Sequence, residues 1–215
     1  MIKVERKLNP SFTKYDEKSV KDALKIDFAR KCYLCEEVTR HWEVEHFYPQ
    51  KYYLHLINDY ANLFYVCQKC NKIKPKNINT DCDDEILNCC EVDVEAYIKL
   101  ILNTKECKVE IIKLQSHKNL DKAIYNTIRL LDRIYNGTNS QSDSCEDLRD
   151  EIKDIIIDFR KKLSTYKASK LKQAISKEII EDLDIKSSYS TFKRWIIRDN
   201  PKLHNKFKQY IGDKK

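Results

Sequence analysis

The chain has 215 residues, 41% hydrophobic and 35% charged, which is enough apolar content for one core, or for a small module joined to a larger one, and too polar for a membrane protein. No apolar run approaches the ~20 residues of a membrane span, and two glycines in the whole sequence exclude Gly-rich phosphate loops and an all-β fold built on many tight turns. The net charge of +7 is uneven, with 15 Lys and Arg against 10 Asp and Glu in residues 1–78, 9 against 15 in 79–150 and 17 against 9 in 151–215, so two basic ends suited to a polyanion flank an acidic middle suited to a protein partner.

The opening MIKVERKLNP lacks the apolar stretch of a signal peptide, which predicts a cytoplasmic protein without membrane contact. Val20, Leu24 and Phe28, four residues apart, predict an amphipathic helix within 15–31. A segment rich in Cys, His, Tyr and Asn follows, to about Lys76. Beyond Pro75 the acidic TDCDDEILNCCEVDVEAY reads as a loop leading into a short helix, and the β-branched KVEIIKL, Lys108 to Leu114, as a strand or one arm of a hairpin. Leu120, Ile124, Ile128 and Leu131 share a helical face that ends near Gly137, where a C-terminal cap belongs. NGTNSQSDS is a loop by its small polar residues, and helices are predicted over 145–165, 168–183 and 190–199, the last stopped by Pro201. The expected class is α+β: an N-terminal arm and helix (1–29), a compact core (30–78), and a mostly helical C-terminal region (79–215) with a short β-hairpin, suited to docking a partner or DNA.

Nine cysteines in a cytosolic chain point to metal or redox chemistry rather than disulfides. KCYLCEE and VCQKCNK supply Cys32, Cys35, Cys67 and Cys70. A two-residue gap lets both thiolates of a pair face one ion, and two such pairs predict a tetrahedral structural Zn²⁺ site. Four thiolates fill the shell, so this zinc holds the fold, and any catalysis needs a second metal. A second zinc from Cys82, Cys89 and Cys90 is conceivable, but the spacing is irregular and small buried hydrophobes are the commoner use of such cysteines. Cys107 and Cys145 carry no assigned role.

Between the two pairs lie Glu45-His46 in WEVEHFYP and then Asn62-Leu63; the second pair continues into Asn71 and Lys74. In this order the chain resembles the HNH endonucleases of the ββα-metal class, in the subgroup braced by four zinc-binding cysteines, over about residues 30 to 76. The resemblance implies metal-dependent hydrolysis of nucleic-acid phosphodiesters, with DNA in preference to RNA. His46 would be the general base, Glu45 and Asn71 the ligands of a catalytic Mg²⁺ or Mn²⁺, and Asn62 the residue that fixes the loop and the base's orientation. These residue types suit the chemistry: imidazole activates water near neutral pH, and carboxylate and amide oxygens bind hard cations. Many members of the family have Asp where this chain has Glu45. Neighbours on a regular strand also point to opposite faces, so Glu45 and His46 share a site only at a strand end or distortion near Pro49. Lys51, Lys69, Lys72, Lys74 and Lys76 crowd this region and would hold a phosphate backbone. His41 and His55 are assigned to packing or phosphate contact.

The tail SSYSTFKRWIIRDNPKLHNKFKQYI mixes basic and aromatic residues. It suits either a helix-turn-helix-like DNA contact or a helix pair that packs on the domain or a partner. The layout of the second half is similar to the HNH subunit of bacterial Septu-type anti-phage systems and related retron-linked nucleases. That resemblance implies an ABC or SMC-like ATPase partner and a defence role. The alternatives are a catalytically inactive zinc module that binds DNA or a protein, and an HNH nuclease of a restriction or mobile-element system.

Overall fold

Helix α1 (Lys18–Asp27) buries Val20, Ala23 and Leu24, the face its spacing predicts, but it is shorter than 15–31 at both ends. The computed structural model describes residues 1–80, 84–137, 142–169 and 172–212. Ahead of α1, Glu17 accepts hydrogen bonds from the Thr13 and Lys14 amides at 2.9 and 2.8 Å, which folds residues 13–17 into a turn. Beyond it, Ala29 and Arg30 take positive φ values of 51° and 59°, a left-handed pair that ends the helix.

Strand β1 (Trp42–His46) pairs antiparallel with β2 (Leu63–Cys67), with Glu45 opposite Phe64 and His46 opposite Leu63. β2 is buried throughout and runs directly into α2 (Gln68–Ile73), which packs on both strands. This gives a ββα unit. A second antiparallel hairpin, β3 (Ile98–Asn103) with β4 (Lys108–Lys113), buries Ile98, Leu100 and Leu102, as the two-residue period of a strand requires.

The rest is helical: α3 (Asp121–Asn136), α4 (Ser142–Ala168), α5 (Lys172–Leu183), α6 (Ser190–Arg198) and α7 (Pro201–Phe207). Among the described residues the fold is α+β and about half helical, with two small sheets. Gly137 occupies the C-cap of α3 at φ −51°, so left-handed freedom is not what it provides. A Cβ there would stand 2.4 Å from the Arg133 carbonyl oxygen and 3.2 Å from Cys145 Sγ; glycine is needed for close approach. Pro201 both stops α6 and opens α7, where the Asn200 side chain caps the Leu203 amide at 3.2 Å.

One cluster of buried side chains draws on all three parts expected from the sequence, from Leu24 through Phe64 and Leu100 to Ile152 and Phe192. Each fully buried side chain of this kind contributes about 1.5–3 kcal/mol. A smaller cluster around Phe159, Ile179, Leu203 and Phe207 closes the C-terminal helices, and Ile196 packs on both. The segment 30–78 thus shares its core with the helices that follow. Among the described residues no helix is long and apolar enough to cross a membrane.

Candidate functional site

Cys32 and Cys35 lie in a turn closed by a bridge between Lys31 and Val38, Cys67 ends β2, and Cys70 sits in α2. All four are buried and their sulfurs lie within 4.8 Å of one another. The Cys70 amide donates to Cys67 Sγ at 3.4 Å, so a cluster sulfur also caps α2. Burial pushes the Cys32 thiol up, but hydrogen bonds from Cys35, Cys67 and Cys70 outweigh it and hold it well below its usual range. Contacts led by Cys32 push Cys35 and Cys70 well above theirs. A crowded, dry set of four sulfurs fits Zn²⁺, which takes them as thiolates in a closed tetrahedral shell. Among the described residues this is the one group of His, Cys, Asp or Glu that could hold a metal. Cys89 and Cys90 are outside it, and Cys82 lies outside the described residues, so a second zinc site gains no support.

The face of β1 toward α2 carries two polar rungs. Strand residues two apart meet helix residues three apart: Glu43 Oε2 accepts from Asn71 Nδ2 at 2.5 Å, and Glu45 Oε1 pairs with Lys74 Nζ at 2.5 Å. Lys74 Nζ also donates to the His46 carbonyl at 3.2 Å. Glu45 and Asn71 thus each engage a different partner across the β1–α2 face. Lys74, expected on a phosphate-facing surface, is 5% exposed and bonded inward, which corrects that expectation: the Glu45 carboxylate offsets the cost of burying its charge. β1 pairs regularly through His46, so no distortion swings Glu45 and His46 to the same face.

His46 is the last residue of β1 and is buried. Its Nε2 lies 2.9 Å from the Ile57 carbonyl oxygen, and Gln50 Nε2 lies 2.9 Å from its Nδ1. A carbonyl only accepts, so in the neutral ring Nε2 carries the proton and Nδ1 the lone pair, to which the Gln50 amide donates. The Tyr15 ring packs edge-on at 4.7 Å. Burial pushes the imidazole below its ordinary value, with the Ile57 carbonyl and Glu45 opposing and Lys74 adding. Asn62 is buried beneath the same loop. Its Oδ1 accepts from the Tyr48 amide at 2.7 Å, and its Nδ2 donates to the carbonyls of Tyr48 at 3.0 Å and Leu56 at 3.2 Å. One side chain thus ties the residues just after β1 to the turn that presents Ile57 to His46.

Lys51, Lys72 and Lys76 are exposed around this unit, Lys69 partly so, and His41 and His55 are exposed. The tail departs from a DNA-binding layout. Lys193, 1% exposed, donates to Asp182 at 3.0 Å and Ser187 at 2.6 Å, and Arg194 and Arg198 grip the two oxygens of buried Glu95 at 2.8 and 2.7 Å. These cations hold the fold, which leaves Lys206 and Lys208 exposed. Sequence reasoning missed Glu43, Gln50 and Tyr15. The signal for Glu43 was available in its two-residue spacing from Glu45, and for Gln50 in its place four residues after His46; Tyr15 lies 31 positions away from His46 with no local signal.

No family model and no solved structure matches the chain. Among curated proteins it is similar to the Septu protein PtuB of Bacillus mycoides (strain KBAB4), 37% identical over 82 residues, a match that takes in 31% of this chain and 28% of that protein. The chain thus matches less than a third of that relative's length, and the similarity relates part of it to a Septu protein.

Proposed function

We propose that the chain is an HNH endonuclease whose core is the β1–β2–α2 unit braced by the four cysteines, with His46 as general base. The observation that carries this reading is the seating of His46: a strand-end imidazole whose tautomer is set by the Ile57 carbonyl and whose loop is clamped by Asn62. Such a ring accepts a proton at Nδ1 once Gln50 gives way to a water. The water's oxygen attacks phosphorus, its proton passes to Nδ1, and the leaving oxygen departs with the electron pair of the broken P–O bond. The Ile57 carbonyl then faces an imidazolium N–H, which it stabilises.

A bound Mg²⁺ or Mn²⁺ supplies charge stabilisation at the phosphate, and Glu45 and Asn71 are the residues proposed to hold it. As placed, Lys74 holds one oxygen of the Glu45 carboxylate and Glu43 accepts from Asn71 Nδ2, so a cation would take the other Glu45 oxygen and Asn71 Oδ1. Lys51, Lys72 and Lys76 are proposed to hold the nucleic-acid backbone, with DNA preferred to RNA. The partial similarity to a Septu protein supports a role in anti-phage defence, with an ABC or SMC-like ATPase as the controlling partner. The same Lys74–Glu45 pair favours the second reading, a zinc module that binds DNA or a protein without cutting.

Cleavage of supercoiled plasmid with added Mn²⁺, by the wild type and His46→Ala, with and without the ATPase partner, separates the two. The nuclease reading expects nicking or linearisation by the wild type alone. Equal cutting by the alanine variant, or an inert wild type under every condition, sinks it.

A further inference from the structure

We propose that Arg6, in the N-terminal arm, is a positioning residue for His46, fixing the turn that carries Asn62 and, through Asn62, the loop that orients the imidazole. This rests on the reading of His46 as the base.

The Arg6 guanidinium donates from Nη1 to the Tyr60 carbonyl at 2.8 Å, and from Nη2 to those of Leu63 at 2.6 Å and Ala61 at 3.3 Å. These carbonyls flank Asn62 on both sides. The planar group also lies 5.3, 5.0 and 4.8 Å from the ring centres of Phe28, Tyr60 and Phe64, so its faces are packed while its edge bonds the turn. A guanidinium can do both at once, and an ammonium cannot present such a fork. The bonds Arg6 makes to this turn all end on backbone carbonyls, where a surface arginine more commonly meets a carboxylate or water, and the guanidinium also acts on the Cys90 thiol.

The arm itself is pinned on either side of Arg6, by the Val4 amide to the Cys89 carbonyl at 2.9 Å and the Lys7 amide to Asp27 Oδ1 at 3.0 Å. Asp27 Oδ2 in turn accepts from the Tyr60 hydroxyl at 2.8 Å. From the turn onward the contacts are direct: Asn62 holds Tyr48 and Leu56, and Ile57, next to Leu56, holds His46 Nε2. Without the fork, the carbonyls around Asn62 lose their shared partner and the Asn62 clamp loses its fixed base. The imidazole then samples orientations in which Nε2 no longer faces Ile57.

The test uses the zinc-loaded full chain, with Arg6→Met, which keeps the stem and removes the donors, and Arg6→Lys, which keeps the charge and loses the fork. Ring ¹⁵N shifts of His46, at a pH that keeps the ring neutral, report its tautomer. Plasmid cleavage with Mn²⁺ reports kcat and KM. The wild type is expected as the Nε2–H form, Arg6→Met as a mixture, with kcat lower by about 10- to 100-fold and KM within about twofold, and Arg6→Lys between them. Ring shifts and kcat equal to wild type in both variants overturn the proposal, including when the melting temperature alone falls, which makes Arg6 a simple strap. Should Arg6→Met fail to fold, Arg6→Lys decides. Should the wild type cut nothing, the nuclease reading falls, and the ring shifts alone decide whether Arg6 positions His46.

Discussion

Glu36→Gln is the sharpest probe of how the first cysteine turn is joined to the C-terminal helices. Glu36 follows Cys35, is 1% exposed, and sits at φ 68°, a left-handed conformation that costs a non-glycine residue about 1–3 kcal/mol and persists where the surroundings impose it. Its carboxylate meets the Met1 ammonium at 3.0 Å and Lys31 Nζ at 3.2 Å. It also accepts from Ser190 Oγ at 3.2 Å, the Thr191 amide at 3.1 Å and the Thr191 hydroxyl. Glutamine keeps the shape and the backbone cost but leaves two buried cations without an anion, a change worth about 3–5 kcal/mol. Lys31 keeps acceptors at Ile185 O (2.7 Å), Ser187 O (2.9 Å) and Ser190 Oγ (2.7 Å), which places the loss near the lower end, about 3 kcal/mol. For a chain of this size that lowers the melting temperature by about 6–12 °C.

Burial pushes the Glu36 carboxyl up, but Lys31, the Met1 ammonium and Thr191 outweigh it and hold it well below its ordinary 4.5. A carboxylate depressed in the folded state contributes stability that is complete above the unfolded value and lost as pH falls toward the folded one. The gap between wild type and variant therefore holds from neutral pH down to about pH 5 and narrows in more acid solution. Thermal melts of zinc-loaded protein across that range measure it. A gap under about 1 kcal/mol, or one that stays constant well below pH 4.5, refutes the reasoning.

Lys74→Met leaves the Glu45 carboxylate, 19% exposed, without its cation, and is expected to cost about 1–3 kcal/mol in melts. Lys72→Ala and Lys76→Ala should change stability by no more than about 0.5 kcal/mol, yet each should lower the salt slope of nucleic-acid binding by about one. Purified protein should hold about one zinc per chain after mild chelation. Stripping that zinc should raise hydrogen exchange in β1 and β2 and also in α3, whose Tyr135 hydroxyl donates to the Cys35 carbonyl at 3.2 Å. The Cys89 thiol, with Arg6 adding, brings Cys90 down to about 7. Brief alkylation at neutral pH, read by mass spectrometry, should label Cys90 ahead of Cys89, Cys107 and Cys145, and Arg6→Met should slow it.

What was legible in the sequence was local. Two cysteines three apart can both face one ion, so the tetrad followed from spacing, and the periodic apolar face of α3 placed Ile124 and Leu131 in the core with Leu120 and Ile128 packed against it. Asn62 was picked out only by its place in the order of motifs that the HNH resemblance implies; by itself it reads as an ordinary turn residue. Lys74 was not legible, because a six-residue helix is too short for its charge pattern to reveal an inward face. Lys193, Arg194 and Arg198 could be read equally as DNA contacts or as packing residues, because their partners, Asp182 and Glu95, lie on other elements, Glu95 at 103 positions from Arg198. Tyr15 and Arg6 reach the His46 loop only once the arm and the turn before α1 have folded over it, and sequence periodicity carries no such information.

His46→Ala removes the ring on which the functional account depends, and its chemical rescue is the most direct measurement. Single-turnover cleavage of supercoiled DNA by the zinc-loaded variant, with Mn²⁺ and increasing free imidazole, should begin about 10²- to 10⁴-fold below wild type and rise with imidazole while wild type does not respond. An alanine variant that cuts as fast as wild type without imidazole contradicts the assignment of His46 as the base.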